Sequence, residues 1–83
     1  MTDEPRIPEW PEELRVAGER TQDIARQLVG LNLHDANKLA TRSGCHLRVV
    51  RRDGKGLTVT ADLHVRRINI ETEGDIVLGT STG

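Results

Sequence analysis

Three histidines, one cysteine and a carboxylate set among arginines are the residues of this chain whose types could do chemistry. His34, His46 and His64 supply imidazoles, Cys45 a thiol, and Asp62 an acid five residues before Arg67. Nucleophilic catalysis needs a base beside the nucleophile and an acid to orient it, and no Ser, His and acid spacing here resembles a hydrolase signature. Cys45 follows Gly44 without a local motif, so a buried small apolar role is expected of it rather than nucleophilic chemistry. Zinc held by Cys45, His46 and His64 matches no standard ligand spacing. Gly54-Lys55 lacks both the preceding glycine spacing and the following hydroxyl of a phosphate loop. The chain is therefore expected not to be an enzyme, and to use neither metal nor cofactor. What remains is Asp62 with Arg67: a guanidinium and a carboxylate form a charge-assisted, geometrically fixed bond, which suits holding a segment in place.

The composition limits what can position that pair. With 83 residues there is room for one small domain, which buries roughly 60% of the unfolded chain's surface. There is no Phe or Tyr and one Trp, so the core must be built from Leu, Val, Ile and Ala. A single cysteine excludes an internal disulfide. No apolar stretch reaches the length of a membrane span, so no membrane partner is expected. Met1-Thr2-Asp3-Glu4-Pro5 is an acidic start unlike a signal peptide, so the expected compartment is the cytoplasm, with secretion expected only if a leader has been removed.

The net charge of −1 conceals polarity along the chain. Acidic residues dominate the first third, whereas Arg42, Arg48, Arg51, Arg52, Lys55, Arg66 and Arg67 face only Asp53 and Asp62. Such a basic run fits nucleic acid or an acidic partner. It equally fits attraction between the two halves or a solvated face. No aromatic residue is interleaved to stack bases, which disfavours nucleic acid.

The elements follow from spacing and punctuation. Residues 1–9 read as a flexible arm, and residues 10–83 as one domain without repeats. Trp10-Pro11-Glu12-Glu13 reads as a helix start with Pro11 at the first helical position. Leu14, Ala17, Thr21, Ile24 and Leu28 then share one helical face, and Gly30 ends the helix. Asn32 reads as the N-cap of a second helix with Asp35 three residues on, Leu33, Ala36, Leu39 and Ala40 as its apolar face, and Gly44 as its left-handed stop. Residues 46–52 and 66–71 read as strands, 73–75 as a turn, 76–78 as a short last strand, and 79–83 as a polar tail. Residues 53–65 admit two readings. Asp53-Gly54 is a strong hairpin signal that would fold residues 57–63 back on strand 46–52. Alternatively the segment is a wide exposed loop of the length that a parallel pair of strands requires.

Leu28-Val29-Gly30-Leu31-Asn32-Leu33-His34-Asp35-Ala36-Asn37-Lys38-Leu39, Arg48-Val49-Val50-Arg51 and Val59-Thr60-Ala61-Asp62-Leu63-His64-Val65-Arg66-Arg67-Ile68-Asn69-Ile70 together resemble the potato inhibitor I family of serine-protease inhibitors, with the Arg-Ile-Asn-Ile form nearer its small bacterial relatives. Glu9-Trp10-Pro11-Glu12 echoes the Trp-Pro-Glu opening of the plant members, while the main resemblance spans residues 28–83. It implies an α+β fold: a small mixed sheet on one central helix and an exposed extended loop between parallel strands. The helix over 10–28 is an addition to the inhibitor-like core at 29–83. The resemblance further implies a reactive-site loop of Val59, Thr60, Ala61, Asp62 and Leu63, with Ala61–Asp62 as the scissile bond and Ala61 in the primary specificity pocket. Arg67 and Asn69 are the implied supports. A small Ala61 points to subtilisin-like or elastase-like serine proteases, met by a monomer or weak homodimer. The chain departs from the family at Leu63, where an aromatic is usual, at His64 and Asn69, where arginines are usual, and at Arg66, where Pro or Asp is usual. It also lacks the cysteine pair of the secreted bacterial relatives. A non-inhibitory protein-interaction module on the same fold, using the basic loop or the 11–28 helix, is the alternative. Nucleic-acid binding through Arg48, Arg51, Arg52, Lys55, Arg66 and Arg67 is a weaker one.

Overall fold

The computed structural model describes residues 11–60 and 62–83; the arm at 1–9, Trp10 and Ala61 lie outside the described residues. Two helices, α1 (Glu12–Leu28) and α2 (Leu33–Arg42), precede four strands, β1 (His46–Arg52), β2 (Lys55–Gly56), β3 (Arg67–Glu73) and β4 (Ile76–Thr82). The sheet order is β2-β1-β3-β4, with β1 parallel to β3 and the other two pairings antiparallel. This is the α+β fold with a parallel central pair that the resemblance implies.

Local chemistry sets most boundaries. Pro11 is the N-cap of α1 rather than its first helical residue: its backbone is extended, and its carbonyl accepts from the Leu14 and Arg15 amides. Asn32 caps α2 by accepting from the Asp35 amide at 2.8 Å, and its own amide donates to the Asp35 carboxylate at 3.1 Å. That second bond runs between side chains, so the reciprocal backbone contact of a capping box is replaced here. The connector between the helices edges the sheet: Gly30 donates to Val77, Val77 to Leu31 and Leu33 to Asp75.

Both helices lie on one face of the sheet. Leu28, Ala36, Ala40, Ile68, Ile70 and Val77 are almost wholly excluded from solvent, with Ala25 and Cys45 beside them. Alanines on the inner faces of both helices let them approach the sheet closely, which is how a core without Phe or Tyr closes. The apolar stripe of α1 is shorter than its sequence periodicity: Ala17, Thr21, Ala25 and Leu28 are buried, Ile24 is half-buried, and Leu14 is exposed near the free start of the helix. Cys45 is buried against Thr21, whose hydroxyl donates to the Ala17 carbonyl at 2.8 Å.

Two expected boundaries are corrected. β3 begins at Arg67 and runs to Glu73, with Arg66 in the preceding turn. The expected polar tail is strand: β4 continues through Gly79-Thr80-Ser81-Thr82, paired with β3 from Glu71 back to Ile68. Backbone pairing along the full length of β3 overrides the weak local signal of that sequence.

Residues 53–65 combine parts of both readings. Asp53 and Gly54 both have positive φ, at 51° and 80°, as a type I′ hairpin turn requires, and β2 pairs back on Arg51 and Arg52. The hairpin then ends. A bulge between Val49 and Arg51 frees the Val50 carbonyl to accept the Leu57 amide at 2.9 Å, after which the chain leaves the sheet. Among the described residues, 57–60 and 62–66 form the exposed connection to β3. Asp53 also ties this turn to the far end of β3: its amide donates to the Thr72 carbonyl at 2.8 Å, and its carboxylate accepts the Gly74 amide at 2.8 Å.

Candidate functional site

Alternation along β3 turns Ile68, Ile70 and Thr72 toward the helices and Arg67, Asn69 and Glu71 to the opposite face. The register of the parallel pair sets Arg48 of β1 beside Asn69. These polar residues form a platform beneath the exposed connection.

Arg67 carries the downstream side of the loop. Its Nη1 lies 3.2 Å from the Asp62 carboxylate, and its Nη2 donates to the Asp62 carbonyl. The same guanidinium donates to the Gly83 carbonyl, 3.4 Å from Nε and 3.2 Å from Nη2, and Asn69 Nδ2 donates to that carbonyl at 3.4 Å. The end of β4 thereby orients the arginine that holds the loop.

Arg48 carries the upstream side. Its Nη1 donates to the Thr60 carbonyl at 2.9 Å, with the Thr60 hydroxyl at 3.4 Å, while its Nε donates to Asn69 Oδ1 at 2.9 Å. The Asp62 carboxylate lies 3.9 Å from Arg48 Nη1. Buried Asn69 thus links Arg48, through its Oδ1, to the Gly83 carbonyl that Arg67 also binds.

The Thr60 hydroxyl donates to the Asp62 carboxylate. That bond, followed by those from Arg67, holds the Asp62 carboxyl at about 2, below its ordinary value of 3.8. Asp62 thereby stays ionised, and bonded to the platform, in acid where an ordinary aspartate would take up a proton.

The sequence-derived candidates divide as follows. Thr60, Asp62, Arg67 and Asn69 are brought together; Val59 and Leu63 flank them with exposed side chains, 41% and 78% accessible. Ala61 lies outside the described residues. The Thr60 carbonyl is held by Arg48 and by neither of the implied supports, Arg67 and Asn69. The residue that sequence reasoning missed as a support is Arg48. Its signal was a single charge inside the apolar run Leu47-Arg48-Val49-Val50, which needs a polar partner on the face away from the helices.

Among the described residues, three of the seven cations of the basic run are paired, all within its own half of the chain. Arg48 and Arg67 meet Asp62, and Arg51 meets Glu71 across the parallel strands at 3.3 Å. Among the described residues no ion pair links this run to the acidic first third. His46 and His64 stack edge to face with centroids 5.5 Å apart, His34 sits in the first turn of α2, and no cluster of three metal-ligating side chains occurs among the described residues. Comparison with family models, with curated proteins and with solved structures finds no match.

Proposed function

We propose that residues 59–63 are a substrate-like segment that binds the cleft of a subtilisin-like or elastase-like serine protease and inhibits it. One observation carries this reading: two arginines from neighbouring parallel strands hold the backbone carbonyls of Thr60 and Asp62, on either side of position 61. A protease cleft binds its substrate as an extended strand through backbone hydrogen bonds. A free peptide must be ordered for this, at about 1–2 kcal/mol per residue, so holding Thr60 and Asp62 in advance spares about 2–4 kcal/mol of binding free energy. Supports that take up the inward-facing groups of Thr60 and Asp62 leave the outward edge and the exposed side chains of Val59 and Leu63 for the partner. Ala61 would then fill a small primary pocket.

Carboxylates occupy Arg48, Arg51 and Arg67, three of the six cations a nucleic-acid reading would use, and this favours a protein partner because phosphate contacts need cations that are not already neutralised. The deciding experiment is titration of subtilisin and of an elastase-like protease with the full chain. Stoichiometric inhibition, moved toward trypsin-like targets by Ala61→Arg, supports the proposal. Rapid hydrolysis after residue 61 without inhibition, or indifference to the substitution, refutes it and leaves a non-inhibitory interaction module.

A further inference from the structure

The arginine platform acts on Thr60 and Asp62, but the arm that follows, residues 63–66, has a different neighbour. Val65 is half-buried, and a β-carbon placed on Gly18 in the middle of α1 would stand 3.5 Å from Val65 Cγ2. Gly18 and Gln22 form one wall of a cavity of ≈ 260 Å³ whose other walls are Leu63, Val65 and the end of β4. α1 is itself anchored directly beside this point. Ala17 and Thr21 are buried, and Thr21 touches the Cys45 thiol at the entrance to β1.

We infer that α1 is a second support of the binding loop, with Gly18 as the seat of Val65, and that it fixes the direction in which the chain leaves Asp62. The inference rests on the proposed inhibitory reading for its functional consequence, but the contact acts on the loop whatever binds there. Arg67 fixes a carbonyl and a carboxylate at one residue, and the turn before β3 is tied at its far end by the Arg67 amide on the His64 carbonyl at 3.1 Å and the His46 amide on the Arg66 carbonyl at 2.8 Å; between these two ends the chain could still swing sideways without Val65. A rigid helix surface removes this freedom, and the residues it restrains are those that meet the leaving-group side of a protease cleft. The added helix thereby extends preorganisation downstream, where the guanidinium platform does not reach.

Backbone relaxation of the full chain by NMR, read alongside subtilisin inhibition, tests this. In the unsubstituted chain residues 63–66 should show order parameters of about 0.8, close to those of the strands. Val65→Ala should lower them toward about 0.6 while leaving Thr58 and Thr60 unchanged, and should weaken inhibition about tenfold. Gly18→Ala in the Val65→Ala background should restore part of both, because its methyl grows toward the space that Val65 vacates. Gly18→Ala alone should raise order at Val65 more than in α2. Unchanged order at residues 63–66 in Val65→Ala, or no recovery on adding Gly18→Ala, overturns the inference. A chain that shows these changes in order yet never inhibits a protease retains the support and refutes the inhibitory reading.

Discussion

Replacing Arg48 by Met tests whether the loop has two anchors or one. Arg48 makes two bonds of different kinds, and each predicts its own readout. The bond to the Thr60 carbonyl is charge-assisted and 2.9 Å long, but Thr60 is exposed and its carbonyl regains water when the arginine is removed. A hydrogen bond to a charged group contributes about 1.5–3 kcal/mol, and the exposed acceptor places this one near the lower end. About 1.5 kcal/mol less order in the loop weakens inhibition about tenfold. The bond to Asn69 Oδ1 ends on a buried side chain, and an acceptor left unpartnered there costs about 1–3 kcal/mol of fold stability. For a domain of this size that lowers the melting temperature by roughly 10 °C. Arg48→Lys should recover little, because one ammonium cannot meet two acceptors that the guanidinium fork reaches together. Arg52→Met, at the exposed end of the same strand, controls for loss of charge. Inhibition titrations, thermal melts and the NMR order parameter of Thr60 give three independent measures. A folded Arg48→Met chain with unchanged order at Thr60 and inhibition within about twofold of the parent would show that Asp62 and Arg67 alone hold the loop.

Three further perturbations probe the same structure. The folded value of the Asp62 carboxyl lies below its unfolded one, so its contribution is fully present above about 3.8, declines as pH falls and is lost through about 2; a carbon-detected titration should place its midpoint near 2, and a midpoint near 4 would exclude the bonds from Thr60 and Arg67. Asn32→Ala removes the cap of α2 and should cost about 1 kcal/mol in chemical denaturation, with the slope unchanged. Ile70→Ala opens the centre of a core that has no aromatic residue among the described ones to repack into the space, and should cost about 2–5 kcal/mol by the same measurement.

Much of the fold was legible because its punctuation is local. Asn32, Gly44 and the Asp53-Gly54 pair each act within a few residues, and each sits at the boundary that its chemistry demands. The end of β4 was not legible for the opposite reason. Nothing within Gly79-Thr80-Ser81-Thr82 specifies a strand; its partner on β3 does. The choice between hairpin and wide loop also could not be made from the segment itself, because Asp53-Gly54 does form a hairpin turn. Two paired residues and the Leu57–Val50 bond satisfy that turn, and the chain then leaves the sheet. A strong local motif and the long-range topology are both obeyed here by cutting the hairpin short.

The site shows the same division at the scale of single bonds. Asp62 and Arg67 are close in sequence, so their pairing could be read from spacing and charge. Arg48 acts on Thr60 across twelve residues and on Asn69 across twenty-one, and both contacts depend on the register of two parallel strands. That register also gives the amide at position 69 its physical sense. Where the plant inhibitors that the sequence resembles carry a second arginine on the strand after the loop, this chain has a buried amide, and the guanidinium comes from the neighbouring strand. An amide both accepts and donates, so Asn69 can link Arg48 to the Gly83 carbonyl, which an arginine at that position could not do. The two positions are therefore coupled. Arg48 and Asn69 should behave as one unit in a double-substitution cycle, with the loss from Arg48→Met and Asn69→Leu together much smaller than the sum of the separate losses. Additive losses would mean that the two side chains support the loop independently.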